Sequence, residues 1–151
     1  MRTAEEILKL KGNRIVTVTN NSTIKDALRI MLEHKIGIIL IKEDDAYIGI
    51  WSERDLMRNV IDPDFNPETA LIKDYMNSSL VSAPSTTTIY ELMDIFLGRY
   101  LRHLLIKKDG KYIGLLSIGD IIKEDLRHKS NELKELHAMV SWEYYEEWNK
   151  T

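Results

Sequence analysis

The 151-residue chain reads as an α+β protein in which one β-α-β-β-α unit occurs twice, the copies packed with pseudo-two-fold symmetry and followed by a C-terminal helix. Three observations predict this. The segment YIGIWSERDL, beginning at Tyr47, returns as YIGLLSIGDI at Tyr112, an offset of 65 residues. The same offset holds without a gap from Val16 to Ile61, with about fourteen identities, well above chance for unrelated segments of that length. Within each copy the apolar pattern switches between helix and strand spacing at corresponding places.

Taken in order, the first element is a helix with a capping box at Thr3 and Glu6 and a C-terminal stop at Gly12. A short extended piece follows, RIVTV in the first copy and SLVSA in the second. Ile24, Ala27, Leu28, Met31 and Leu32 then recur at helical spacing, as do Ile89, Leu92, Met93, Phe96 and Leu97, so each copy carries a helix with one apolar face. The buried strands IGIILI and RHLLIK run through charged turns into AYIGIW and KYIGLL. Asp109-Gly110 is a strong hairpin signal, because both residues tolerate positive φ. Second helices begin at SERDLMRNVI and SIGDIIKEDL. Pro63 and Pro67, in DPDFNPET, interrupt helix between the copies. The divisions are therefore residues 1–62 for the first repeat with its N-terminal helix, 63–126 for the second, and 127–151 for a helical tail. Three strands alone make a poor domain, so the copies are expected to share a core and leave clefts in symmetric pairs at their seam. In the tail, Leu133, Leu136, Val140, Tyr144 and Trp148 predict one long helix with an apolar, aromatic-rich stripe, which packs on its own module or serves a dimer or partner contact.

Composition excludes several functions. A net charge of −3 and a pI near 5.8 give no basic field to draw the chain onto nucleic acid. Without cysteine there are no disulfides, thiolate metal sites or cysteine nucleophile. No apolar run reaches membrane-spanning length, and MRTAEEILKLKG alternates charged and apolar residues, so a cytoplasmic protein without a membrane partner is expected. His34, His103, His128 and His137 are not spaced i, i+3 or i+4 from one another, so no metal site is expected. Neither a GxxxxGK loop, a GxGxxG fingerprint nor a nucleophile elbow occurs, LLSIGD included, and no enzyme activity is expected.

The chemistry is concentrated in Gly49-x-x-Ser52-x-x-Asp55 and its counterpart Gly114-x-x-Ser117-x-x-Asp120. Each lies where a strand gives way to a helix. Helix capping explains the serine and aspartate, and a tight strand-to-helix turn explains the glycine. The alternative is a ligand. Free N–H groups at a helix start suit a phosphate, a glycine lets a flat molecule approach the backbone, and an ionised aspartate accepts two hydrogen bonds from a ribose diol. Together these describe a nucleoside phosphate.

The paired YIG(I/L)xSxxD(L/I) segments, each preceded by a TI helix and an ILIK or LLIK strand, resemble the CBS-domain pair, a module of two cystathionine-β-synthase-type repeats. The resemblance covers roughly residues 2–126 and includes the full family pattern in both copies: glycine, a hydrophobic residue, any residue, Ser or Thr, two residues, then Asp. WSERDLMRNVI and RHLLIKKDGKYIGLLSIGDIIK look particularly like small stand-alone members. It implies an adenosine ligand in the clefts, AMP, ADP or ATP before NAD(H) or S-adenosylmethionine, with no covalent cofactor. It implies further that Asp120 and Asp55 hold ribose, with Ser117 and Ser52 near ribose and phosphate. In the Asp120 cleft the adenine would meet Arg14, Val16, Ile36 and Ile38, with Arg102 and His103 toward the phosphate. In the Asp55 cleft the base would meet Val81, Leu101 and Ser79, phosphate charge would come from Arg54 or Arg58, and Glu53 would oppose it. The Asp120 cleft is thus expected to hold phosphates better, and Trp51 is expected at a strand end near a cleft. The function implied is a homodimeric nucleotide sensor acting on a separate, unnamed partner protein. The rival is a scaffold that docks a partner through the C-terminal helix without nucleotide.

Overall fold

A computed structural model of the chain describes the backbone of residues 1–12 and 14–148, and side chains among these as far as Met139. The described residues fall into two compact units, one within the bounds Met1–Asn13 and Ser82–Thr151, the other Arg14–Val81. Each contains a three-stranded sheet.

In the unit Arg14–Val81, β1 (Thr17–Thr19) pairs in parallel with β2 (Ile38–Glu43), which pairs antiparallel with β3 (Ala46–Ser52). The crossover from β1 to β2 is α2 (Ile24–His34), started by a capping box between Thr23 and Asp26. After β3 come α3 (Glu53–Asn59) and the short α4 (Ile72–Tyr75). The core gathers Ile24, Ala27 and Met31 from α2 against Ile39, Ile41 and Trp51 from the sheet, with Ile72 of α4.

The other unit repeats the plan. β4 (Ser82–Pro84) pairs in parallel with β5 (His103–Lys108), and β5 antiparallel with β6 (Lys111–Ser117). The crossover helix α5 (Ile89–Arg99) has its capping box at Thr88 and Glu91. To these are added α1 (Ala4–Lys11), with the predicted box at Thr3 and Glu6 and a left-handed Gly12, and α6 (Ile118–Trp148). The backbone of Ala4 donates to Thr87 and that of Ile89 to Arg2. The buried Glu124 of α6 receives ion pairs from Arg2 and Arg127. Packing and sequence therefore divide the chain differently: α1 lies on the strands of the second copy, and residues 63–81 go with those of the first.

The repetition reaches fine detail. The left-handed helix caps Lys35 and Tyr100, the positive-φ turn residues Asp44 and Asp109, the bulges after Ile41 and Ile106, and the contacts of Lys42 over Tyr47 and Lys107 over Tyr112 all stand 65 residues apart. Asp109 and Gly110 both have positive φ, as a primed two-residue hairpin turn requires.

Three expectations need correction. Leu32 and Leu97, assigned to the apolar helix faces, are exposed at 77% and 66%. At 100° per residue each lies about 80° round from the first residue of its face, beyond the reach of the sheet. The last helix of the second copy and the tail are one unbroken helix, α6, and every residue from Leu126 to Met139 is exposed, so this stretch does not pack on its own module. Trp51 does stand at the end of β3, but its side chain is wholly buried among the core residues of its unit, where its indole N–H donates to Asn59 Oδ1 at 2.9 Å. The side chains of Val140, Tyr144 and Trp148 lie outside the described residues.

Candidate functional site

Both aspartates stand at strand-to-helix junctions, and both are held there by the serine three residues earlier. Ser52 ends β3 and caps α3: its N–H and hydroxyl each donate to Asp55 Oδ2 at 3.0 Å, and the Asp55 N–H donates back to Ser52 Oγ at 3.3 Å. At the second junction the Ser117 N–H donates to Asp120 Oδ2 at 2.8 Å and the Asp120 N–H to Ser117 Oγ at 3.1 Å. Capping is thus real in both copies. It does not exhaust the carboxylates, whose side chains keep 24% exposure. At Asp120 the hydrogen bonds converge on Oδ2, and none within the described residues falls on Oδ1.

The glycines have a different explanation from either one read in the sequence. Gly49 and Gly114 are buried within β3 and β6, not in turns, and have ordinary φ. A Cβ on Gly49 would lie 2.3 Å from Met76 Sδ, and one on Gly114 would lie 2.6 Å from Leu8 Cδ2. The space above each glycine is filled by one of the protein's own side chains, Leu8 of α1 or Met76 just past the end of α4, so these positions accommodate packing, not a flat ligand.

Charge distinguishes the copies. Lys11, at the end of α1, donates from Nζ to Asp120 Oδ2 at 2.7 Å and to the Leu115 carbonyl at 3.0 Å. Burial would raise the Asp120 pKa, but the Lys11 ammonium and the Ser117 bonds outweigh it and hold the carboxyl below its usual value. His103, opposite Ser117 in the β5–β6 ladder, is half-buried; burial, helped by Lys11 and Arg102 and opposed by Asp120, pushes its pKa down to about 4. At neutral pH it is an uncharged imidazole. Arg102 is exposed. In the first copy the position of Arg102 is Gly37, and the Glu53 carboxylate reaches within 3.0 Å of where a Cβ there would stand. Arg58 NH1 lies 3.7 Å from Asp55 Oδ1 on a side chain 72% exposed, and Arg54 is exposed too.

The remaining expected residues divide between the units. Ser117, Asp120, Arg102, His103 and Leu101 belong to one; Ser52, Asp55, Arg54, Arg14, Val16, Ile36, Ile38 and Val81 belong to the other. Ile38 faces Ser52 across the β2–β3 ladder as His103 faces Ser117. Val16 and Ile36 pack on the core beneath them. Arg14 is exposed, with its guanidinium 3.1 Å from His34 Nε2. Ser79 is exposed and its N–H goes to Asn77 Oδ1 at 2.9 Å. Lys11 is the one residue at this centre that the sequence reading missed; the signal available was a lysine in the last turn of a helix ending in Gly12. Among the described residues no three His, Asp or Glu side chains gather as metal ligands, and no helix is long and apolar enough to cross a membrane.

Comparison with known proteins gives the same outline. The family model described as CBS domain matches residues 5–62 and again 72–127. The mitochondrial CBS domain-containing protein CBSX3 of Arabidopsis thaliana is 27% identical, over 94% of this chain and 73% of its own length. A putative signal-transduction protein with CBS domains from Burkholderia ambifaria superposes with a TM-score of 0.78 at 32% identity, over 83% of this chain and 95% of that one. CBSX2, solved in complex with AMP, has the same fold, with a TM-score of 0.69 at 22% identity over 85% of this chain and 99% of its own.

Proposed function

Given that this chain belongs to the CBS-domain family, carrying two such domains, we propose that it is an adenosine-nucleotide-binding regulatory module, with Asp120 the principal ribose acceptor and Asp55 its weaker counterpart. One observation carries the reading: at Asp120 an ionised carboxylate is fixed through Oδ2 by Lys11 and Ser117 while its side chain keeps 24% exposure. A ribose offers adjacent hydroxyls, and an anchored, ionised carboxylate is their natural acceptor. AMP, ADP and ATP are the favoured ligands, and the AMP complex of CBSX2 supports that class. Arg102 and Lys11 make this end of the chain the more favourable for phosphate, whereas Glu53 disfavours it near Asp55.

The module acts on a separate protein, by favouring the conformation its ligand complements, and works as a homodimer in the cytoplasm. Leu126, Leu133, Leu136 and Met139, uncovered on α6, support self-association. Titration calorimetry with AMP, ADP and ATP tests the ligand. Hydrogen bonds to a charged group contribute about 1.5–3 kcal/mol, so Asp120→Ala should weaken the preferred nucleotide roughly ten- to a hundredfold. Asp120→Asn, which keeps the side-chain shape, should do the same. Unchanged affinity in both would refute the ribose assignment. Incubation with ATP should give no turnover.

A further inference from the structure

We propose that Lys11 makes the Asp120 site select a phosphorylated nucleoside over the bare nucleoside, an inference that rests on Asp120 being the ribose acceptor. Lys11 reaches the carboxylate from another element, 109 residues away in sequence, and its Nζ spends two N–H groups on Asp120 Oδ2 and the Leu115 carbonyl. An ammonium has three, so one remains for a ligand. The side chain is 42% exposed, leaving the head accessible.

The first copy of the fold serves as an internal control. Met76 lies over Gly49 as Leu8 lies over Gly114, so the segments that carry them are structural counterparts. Three residues beyond Leu8 comes Lys11; three beyond Met76 comes Ser79, after α4 has already ended at Tyr75. The only cation paired with Asp55 among the described residues is Arg58, on its own helix and mostly in solvent. His103 is neutral beside Asp120, so Lys11 supplies the positive charge that touches this carboxylate.

A ribose bonded to Asp120 on the Oδ1 side leaves Lys11 in place on Oδ2. Adenosine offers the remaining N–H of the ammonium no anion. A nucleotide does, and the flexible four-carbon stem lets the ammonium meet the phosphate while it stays beside the carboxylate. Lys11 therefore adds affinity for the phosphate ester that it does not add for the nucleoside.

The test is calorimetric titration of the full chain with AMP and with adenosine, in an Asp55→Asn background that confines binding to the Asp120 site. Lys11→Gln should lower the ratio of adenosine Kd to AMP Kd by at least about tenfold, through weaker AMP and unchanged adenosine. Lys11→Arg should restore the ratio, with melting curves confirming that both variants fold. If AMP and adenosine weaken equally in Lys11→Gln, the lysine is merely structural and the proposal falls. If the parent binds both ligands and Asp120→Asn abolishes binding, yet Lys11→Gln leaves the ratio unchanged, the ribose assignment stands and only the role of Lys11 is overturned. Failure of the parent to bind either ligand overturns both.

Discussion

His103 illustrates how one side chain ties stability to pH. Its folded-state pKa, about 4, lies below the ordinary value of 6.5, so the folded protein resists a proton that the unfolded chain accepts. The stabilisation is complete above pH 6.5 and is lost progressively as pH falls from there toward 4. Melting temperature should drop by several degrees between pH 7 and pH 5. His103→Ile, which installs the residue that the first copy has at Ile38, should flatten that slope. An equal slope in the variant would show that other groups carry the effect. The residues of the site were unevenly legible. Ser117 and Asp120 stand three residues apart and repeat at a fixed offset, so spacing alone exposes them. Lys11 meets Asp120 only after the chain has folded back over more than a hundred residues, and it lies outside the stretch over which the copies align.

Among the elements, the close approach of α1 to β6 and of the α4 segment to β3 sets what the strands can carry. Gly114→Ala should destabilise by about 1–3 kcal/mol, as overpacking of a well-filled core does, because the added methyl overlaps Leu8. Leu8→Ala should relieve it, so the double variant should lose less than the sum of the singles, measured by denaturant unfolding. Strict additivity would mean that Leu8 is not the obstacle. Glycine was legible as a requirement but not as to its cause: nothing local says whether a ligand or a neighbouring side chain fills the space. Helix faces were legible to within one residue at their edges, since Leu32 and Leu97 are apolar yet lie past the sheet in both copies. The boundary between second repeat and tail, read near Leu126, falls inside one helix because no glycine, proline or cap interrupts the sequence there.

For the molecule as a whole, nucleotide should raise stability in proportion to its occupancy. AMP at a hundredfold excess over its Kd adds about 2.7 kcal/mol, a rise in melting temperature that the scaffold alternative does not provide. Self-association has its own readout: Leu133→Glu combined with Leu136→Glu, both exposed on α6, should lower the light-scattering mass from dimer to monomer without changing the circular dichroism per residue. The two-copy architecture was plain in the sequence because duplication leaves matching residues at a constant interval. The allegiance of α1 to the later copy was not, since similarity records which segments are alike and not which ones touch. That allegiance bears on biosynthesis. Residues 14–81 leave the ribosome as a continuous stretch holding every strand of their own sheet, so that half can mature early. The helix translated before it must wait, its apolar side uncovered, until the final hairpin emerges to receive it.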